Sequence, residues 1–315
     1  MSENFADRLL AAIRRKGTPT CVGIDPEYQR LPADIADHQE MNDATDTEAS
    51  LDAVLEFSRR VIRIVAPLVP AVKINIAFFE RYYGEGVDGY FDLVQEAAEH
   101  DLIVIGDVKR ADIGHSSAAY AEAHLADPAF ANLEDRVAPD AVTVNPYFGL
   151  DAIKPFLQVA RAEQKGVFAL VQTSNETWHE LQGLKLETGL SVSERVATLV
   201  NAWASEPGMI GNGGFSVLGA VVSPRDPEST VTLRAMLPHS FFLVPGYGTQ
   251  GRDAAAIAPC FKSDGTGALV TASRSVIYAY EDMKYIERFT SEWEACIEQA
   301  CRDFIADLGK AIPHA

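Results

Sequence analysis

Eight short apolar segments alternate along the chain with longer amphipathic segments, and this alternation most restricts the possible fold. The apolar segments are predicted to be β-strands at Thr20–Ile24, Ala71–Ile76, Leu102–Asp107, Ala141–Val144, Gly166–Gln172, Val217–Val222, Phe241–Val244 and Ala268–Thr271. Repeated strand–helix units favour a parallel sheet, and eight such units fit a closed barrel better than an open sheet. The sequence therefore predicts an α/β fold, a single (β/α)8 TIM barrel in which residues 1–315 form one domain.

The segments between the strands have helical periodicity. Helices are predicted at Asp52–Leu68, Gly89–Glu99, Ser116–His124, Asp151–Ala162, Ser193–Ala204, Glu228–Met236 and about Lys284–Leu308. Residues 32–50 are acidic and poor in apolar side chains, which predicts a surface insertion after the first strand. The polar stretch 175–191 is predicted to be a loop over the barrel mouth, and the glycine-rich stretch 208–214 a turn.

Charge and composition exclude several classes of protein. A net charge of −18 argues against non-specific binding to nucleic acid, which needs a basic surface. No apolar stretch is long enough to span a bilayer, and the amino terminus lacks the apolar region of a signal peptide. No two of the four cysteines form a Cys-x-x-Cys pair; they are Cys21, Cys260, Cys296 and Cys301. We therefore expect a soluble cytoplasmic protein with buried thiols.

Charged residues gather where two predicted strands should be buried. Asp107 and Lys109 directly follow the apolar run 102–105, and strand alternation predicts that they share one face. Asp112 lies beyond the strand, in the next loop. Lys73 stands in the middle of another apolar strand, and lysine is almost never buried without a partner. These positions predict a preorganised cluster of opposite charges at the barrel mouth.

The ends of strands seven and eight have the composition of a phosphate site. Gly246, Gly248 and Gly251 would let the backbone N–H groups approach an anion, and Arg274 could bind it through two parallel hydrogen bonds. The loops after these two strands commonly bind phosphate in a βα barrel. The alternative interpretation is a glycine-rich turn beside a surface arginine.

Two further strand ends carry candidate binding residues. Asp25 could orient a sugar hydroxyl, or it could be a helix cap or turn aspartate before Pro26. Ser174 could donate a hydrogen bond to a heterocycle, or it could serve only the local loop.

Four motifs together resemble the orotidine 5′-phosphate decarboxylase family, in its longer, type 2 bacterial branch. The motifs are Val72–Asn75 with Ala77–Glu80, Asp107–Gly114, Val144–Tyr147 and Val244–Gly251. The resemblance runs from Gly23 to Ser275 and so covers nearly the whole chain. It implies a homodimeric barrel that converts orotidine 5′-monophosphate (OMP) to UMP and CO₂, the last step of de novo UMP synthesis, with no metal and no organic cofactor.

The resemblance also implies a role for individual residues. Lys73, Asp107, Lys109 and Asp112 would form a catalytic tetrad. Asp112 would reach the site of the neighbouring subunit, as would Ile113 and Ser116. Lys109 would stabilise a carbanion at C6 of the pyrimidine electrostatically and then protonate it. The residues implied to bind substrate are Asp25, Ile113, Ser116, Ser174, Pro245, Gln250, Gly251 and Arg274.

Three positions depart from the pattern of this family. Ser116 stands where the family usually has threonine, although the hydroxyl is kept. The run Gly248–Arg252 replaces the usual Gly-Ala-Gln-Gly-Gly, so that Arg252 would be strained if its position requires a positive φ. Strand six is followed by Ser223–Arg225 rather than by a Gly-Ala-Thr run.

Three other functions fit parts of the sequence. A metal-dependent sugar-phosphate decarboxylase or synthase would need an acidic ligand on strand two, where Lys73 stands. A class I aldolase would use Lys73 or Lys109 to form a Schiff base, but Lys109 adjoins Asp107. A non-catalytic nucleotide-binding barrel would use Gln250 and Arg274 and would leave the charge cluster without a function.

Overall fold

The chain folds into a closed barrel of parallel strands ordered β1 to β8, as the sequence predicts. The structure is a computed structural model, and it describes residues 3–36, 46–133, 135–248, 254–290 and 292–313. The strands are β1 Thr20–Ile24, β2 Ala71–Asn75, β3 Ile103–Arg110, β4 Ala141–Val144, β5 Gly166–Gln172, β6 Leu218–Val222, β7 Phe242–Val244 and β8 Ala268–Ala272.

Helices cover the outside of the barrel and close its amino-terminal end. They are α1 Phe5–Lys16, α2 Ala33–Ala36, α3 Thr47–Val65, α4 Ala77–Glu80, α5 Tyr83–Glu99, α6 Gly114–His124, α7 Leu150–Ala162, α8 Val192–Ala204, α9 Pro227–Met236, α10 Ala254–Ile257, α11 Arg274–Ile277, α12 Met283–Phe289 and α13 Trp293–Gly309. The single helix predicted over 284–308 is wrong, because Thr290 has a φ of 56° and separates α12 from α13. Within the described ranges, none of these helices is both long and apolar enough to cross a membrane.

Helix α1, which the sequence pattern did not predict, closes the barrel at the amino ends of the strands. Asn4 begins the helix by accepting a hydrogen bond from the backbone of Asp7 in a capping box. Phe5 packs edge-on against Phe168 of β5, with ring centroids 6.0 Å apart. Together with Leu9 these side chains belong to an apolar cluster that fills the lower barrel interior.

The glycine-rich stretch 208–214 also lies at this end of the barrel and is a turn, as predicted. Its backbone N–H groups at Asn212 and Gly213 donate to the Asp7 carboxylate, at 3.0 and 2.7 Å. This turn therefore stabilises the closed end and is far from the mouth.

The structure describes the predicted surface insertion 32–50 in part and the predicted mouth loop 175–191 in full. In the acidic insertion 32–50, residues 37–45 lie outside the described residues; Ala33–Ala36 form α2, and Asp46 caps α3. The stretch 175–191 follows β5 at the barrel mouth, as predicted. It contains a 3₁₀ turn at Glu176–Glu180 and is closed by an antiparallel bridge between Lys185 and Ser191.

Candidate active site

Strand alternation and one irregularity place the charged side chains in the barrel mouth. In β2, Val72 and Ile74 pack outward in the main core, so Lys73 points into the barrel. Strand β3 continues to Arg110 and not to Asp107 as predicted, but its register against β4 shifts after Gly106.

Lys109 lies within this shift and has a φ of 46°, a left-handed conformation that is unusual for a residue with a side chain. Backbone strain of this kind is concentrated at functional sites. The lysine thus follows Asp107 on an irregular strand, and the regular alternation that predicted their common face is not what brings them together.

Three of the predicted charged residues, Lys73, Asp107 and Lys109, come together in one cluster. Asp107 accepts from Lys73 Nζ through Oδ2 and from Lys109 Nζ through Oδ1, both at 2.6 Å. Asp25 Oδ1 lies 3.8 Å from Lys73 Nζ. Asp107 and Lys73 are buried, whereas the Lys109 side chain is 48% exposed and faces the cavity.

These contacts keep the buried pair charged. Burial alone would raise the pKa of Asp107, but Lys73 and Lys109 outweigh it and hold that pKa well below its usual range. Burial alone would lower the pKa of Lys73, and Asp107 with Asp25 raises it above the ordinary lysine value. The buried pair therefore presents a fixed carboxylate and a fixed ammonium group at neutral pH.

A cavity at the carboxyl ends of the strands joins this cluster to the predicted substrate residues. The predicted residues that line it are Asp25, Lys73, Asp107, Lys109, Ser174, Pro245 and Arg274. Gly246 and Gly248 have φ angles of 93° and 83°, as a loop that presents its N–H groups to an anion requires. The charge cluster lies at the base of the cavity, and Arg274 begins α11, with one residue between it and the end of β8.

Three of the predicted residues that the structure describes do not line this cavity. Asp112, Ile113 and Ser116 lie beyond the end of β3; Asp112 accepts from the backbone N–H of Ile113 at 2.8 Å, and Ile113 is 55% exposed. Their place in the site of a partner subunit stays a prediction. Gln250 and Gly251 lie outside the described residues, as does Arg252.

The cavity contains polar residues that the sequence did not predict as site residues. Thr143 donates to Asp107 Oδ1 at 2.8 Å, and Asn75, Tyr247 and Thr271 also line the cavity. Asn75 and Tyr247 fall inside the motifs that carried the resemblance. Thr143 was recognisable only as the one polar side chain in an apolar strand of four residues.

In the run Ser223–Arg225 after β6, which departs from the family pattern, the arginine contacts the loop after β5. Arg225 donates to the backbone carbonyls of Thr173 and Asn175, which flank Ser174. Its guanidinium also lies over the Trp178 ring, 5.0 Å from the centroid. Arg225 therefore fixes the loop that carries Ser174.

The loop that carries Asp25 is held in a comparable way. Burial raises the pKa of Tyr278, so its hydroxyl stays protonated and donates to the Asp25 carbonyl at 3.1 Å. The same hydroxyl accepts from the Glu27 N–H at 2.6 Å. Arg30 lies over the Tyr278 ring at 3.6 Å and pairs with Glu281, which connects the loops after β1 and β8.

A family model covers the part of the chain that forms this site. The model of the orotidine 5′-phosphate decarboxylase / HUMPS family matches residues 19–289, from the start of β1 to the end of α12. The chain belongs to this family. The resemblance found in the sequence motifs is thereby confirmed.

Individual relatives match over nearly their whole length. The chain is 36% identical over 301 residues to orotidine 5′-phosphate decarboxylase of Rhodopirellula baltica, covering 94% of this chain and 96% of the relative. It is 36% identical over 280 residues to the enzyme of that name from Caldicellulosiruptor bescii, covering 89% and 91%. The structure of Leishmania donovani OMP decarboxylase superimposes with a TM-score of 0.70 at 27% identity, covering 99% of this chain and all of that one.

Proposed function

We propose that this protein decarboxylates orotidine 5′-monophosphate to UMP and CO₂. The observation that carries the proposal is the cluster in which Asp107 lies 2.6 Å from both Lys73 Nζ and Lys109 Nζ. Family membership and the named relatives support the same reaction. Asp25 and Lys73 would bind ribose hydroxyls, Ser174 and Pro245 would lie along the pyrimidine, and Arg274 would bind the phosphate together with Gln250 and Gly251.

The chemical difficulty of this reaction is the carbanion at C6, which the pyrimidine ring stabilises poorly. The exposed Lys109 ammonium would face C6, stabilise the developing negative charge and then supply the proton. Asp107 would lie near the departing carboxylate and hold Lys109 in place. Phosphate and ribose contacts distant from C6 would orient the ring against the cluster.

The charge cluster also bears on the metal-dependent alternative. On β2, Lys73 stands where such an enzyme needs an acidic metal ligand. The Lys73 ammonium donates a hydrogen bond to Asp107 Oδ2 at 2.6 Å. In the part of the chain that the structure describes, no group of three His, Cys, Asp or Glu side chains is arranged to hold a metal ion. We propose a reaction without a metal or an organic cofactor, which turnover in EDTA tests.

The aldolase alternative requires a neutral lysine. Both lysines of the cluster form an ion pair with Asp107. For Lys73, the contacts with Asp107 and Asp25 outweigh burial and raise its pKa, which favours the ammonium over the amine that would attack a carbonyl. Failure of borohydride to trap a carbonyl substrate on the protein would agree with the decarboxylase.

The deciding experiment follows the absorbance of OMP after addition of the purified protein with EDTA present. We expect rapid conversion to the spectrum of UMP. A folded protein that binds UMP and leaves OMP unchanged would instead support the non-catalytic nucleotide-binding alternative and refute the proposed function.

Substitution of Lys109 tests its assigned role. We expect Lys109→Ala to lower kcat by at least about 1,000-fold, because both charge stabilisation and protonation are lost. The control is Lys185→Ala, which removes a lysine that is 67% exposed on the loop after β5. Near-normal turnover by Lys109→Ala would refute the assignment.

We further propose a homodimer in which Asp112, Ile113 and Ser116 complete the site of the partner. Asp112 is displaced from the cavity of its own chain, and Ile113 exposes an apolar side chain beside it. Mixing and refolding Lys109→Ala with Asp112→Ala at equal concentrations should restore up to about one quarter of wild-type activity, because each mixed dimer has one intact site. No activity in mixtures shown to contain mixed dimers would contradict the shared site.

A reducing, cytoplasmic location completes the proposal. All four cysteines are buried free thiols, as expected for a protein in a reducing compartment. We also propose that residues 1–315 act as one domain, because apolar side chains of α1 pack into the cluster inside the barrel and α13 packs on α3.

A further inference from the structure

We propose that Thr143 is a positioning residue that holds the Asp107 carboxylate and the Lys109 backbone in their working arrangement. The proposal rests on the proposed decarboxylation and deepens it. Thr143 lies in β4, is almost fully buried, and lines the cavity beside the charge cluster.

The first step of the argument is the register of β3 against β4. Gly106 pairs with Val142, and Arg110 pairs with Val144. The three residues 107–109 therefore lie opposite Thr143 alone, so the regular ladder cannot satisfy every backbone group of this segment. A buried N–H without a partner costs free energy, and a bulge needs another acceptor.

Thr143 is that acceptor. Its hydroxyl accepts from the Lys109 N–H at 3.0 Å and lies 2.8 Å from Asp107 Oδ1. Because the N–H group can only donate, the hydroxyl proton is committed to Asp107. The Thr143 side chain thus connects the left-handed backbone of Lys109 to the Asp107 carboxylate, which the Lys109 ammonium also contacts.

The second step is what would move without this hydroxyl. Asp107 Oδ1 has two donors, Lys109 Nζ and Thr143, and Oδ2 has Lys73 Nζ. Loss of the Thr143 donor frees the carboxylate to rotate and leaves the Lys109 N–H unsatisfied. The bulge then relaxes, and the half-exposed Lys109 ammonium moves from the position facing C6.

The test compares Thr143→Val, which keeps the branched shape, with Thr143→Ser, which keeps the hydroxyl. We expect Thr143→Val to lower kcat by about 100-fold, the order of loss that a small misplacement causes. KM should change less than about threefold, because phosphate and ribose contacts are untouched, and Thr143→Ser should stay within about fivefold of wild-type kcat. The control Thr230→Val removes a buried hydroxyl from α9 and should leave kcat unchanged.

A second measurement does not depend on turnover. Hydrogen exchange of a peptide spanning residues 106–112 should be faster in Thr143→Val than in wild type and near normal in Thr143→Ser. Wild-type protein that leaves OMP unchanged would refute the proposed function, whereas the exchange result would still decide the role of Thr143. Thr143→Val with wild-type kcat, unchanged exchange, or a Thr143→Ser variant as impaired as Thr143→Val would overturn the proposal.

Discussion

A lysine in the middle of an apolar strand forces the residues around it to supply charge. Lys73 meets this requirement through Asp107 at 2.6 Å and Asp25 at 3.8 Å. Removing one member of a buried pair leaves the other charged and uncompensated, which is far more costly than losing a surface ion pair. The charge cluster is therefore important for stability as well as for the proposed chemistry.

Asp107→Asn should show this dependence. We expect the free energy of unfolding to fall by roughly 3 kcal/mol at pH 7, because two ammonium groups lose their carboxylate. The folded-state pKa of Asp107 is depressed, so its contribution is present above the unfolded pKa and is lost as the pH falls through the folded pKa. The deficit of the variant, measured by urea unfolding, should shrink below about pH 4.

The control for this experiment is Asp88→Asn. Asp88 is 67% exposed and pairs with Arg136 at the surface, so its loss should change the free energy of unfolding by less than about 0.5 kcal/mol at any pH. A deficit in Asp107→Asn that stays constant from pH 7 to pH 3 would contradict the depressed pKa.

Residue patterns predict which charges meet but not how the backbone brings them together. Lys73, Asp107 and Lys109 could be assigned to one cluster because strand alternation and the rarity of unpaired buried lysine both constrain them. The φ of 46° at Lys109 could not be predicted from the sequence, because a left-handed backbone usually belongs to glycine and not to lysine. Thr143 could not be connected to Lys109 because their contact depends on a register shift between two separate strands.

At the scale of elements, two loops that carry proposed substrate-binding residues are each fixed by a side chain from another loop. Arg225, after β6, holds the carbonyls on both sides of Ser174. Tyr278, after α11, holds the backbone at Asp25. The positions of Asp25 and Ser174 therefore depend on contacts between neighbouring βα loops.

Arg225→Lys should weaken the contact between the loops after β6 and β5 while keeping the positive charge. A lysine ammonium lacks the planar fork that reaches both carbonyls, so the loop carrying Ser174 should loosen. We expect KM for OMP to rise about tenfold with a smaller change in kcat, in steady-state assays. Tyr285→Phe, which removes a hydroxyl from α12 outside the substrate loops, should leave KM unchanged; an equal rise there would mean a general loss of stability.

Strand ends were predictable to within three residues because buried strands are short, apolar and bounded by polar turns. Helix α1 was missed because it precedes the first strand, where the repeated unit requires no helix. The break between α12 and α13 was missed because no glycine or proline interrupts 284–308. Its left-handed residue, Thr290, carries a side chain that is uncommon in that conformation.

At the scale of the whole molecule, the two ends of the barrel have separate tasks. The carboxyl ends of the strands hold the charge cluster and the cavity. The amino ends are closed by α1 and by the turn 208–214, which Asp7 joins through two hydrogen bonds. Changes at the closed end should affect folding and leave the chemistry intact.

Asp7→Ala tests this separation. Loss of its buried hydrogen bonds should lower the free energy of unfolding by about 1–3 kcal/mol, measured by urea unfolding. We expect kcat and KM per folded molecule to remain at wild-type values, because the substitution lies at the opposite end of the barrel. A selective loss of kcat in folded protein would show that the two ends are coupled.

Chemical labelling of the four cysteine side chains can report local unfolding of this protein. They lie in β1, in the turn after α10 and in α13, and all are buried. Burial raises the pKa of Cys21 and Cys301 to about 12, so almost no thiolate is present at neutral pH. An alkylating reagent can therefore label these positions only when local unfolding exposes them, and the order of labelling ranks the barrel and the carboxyl-terminal helix by how readily each one opens.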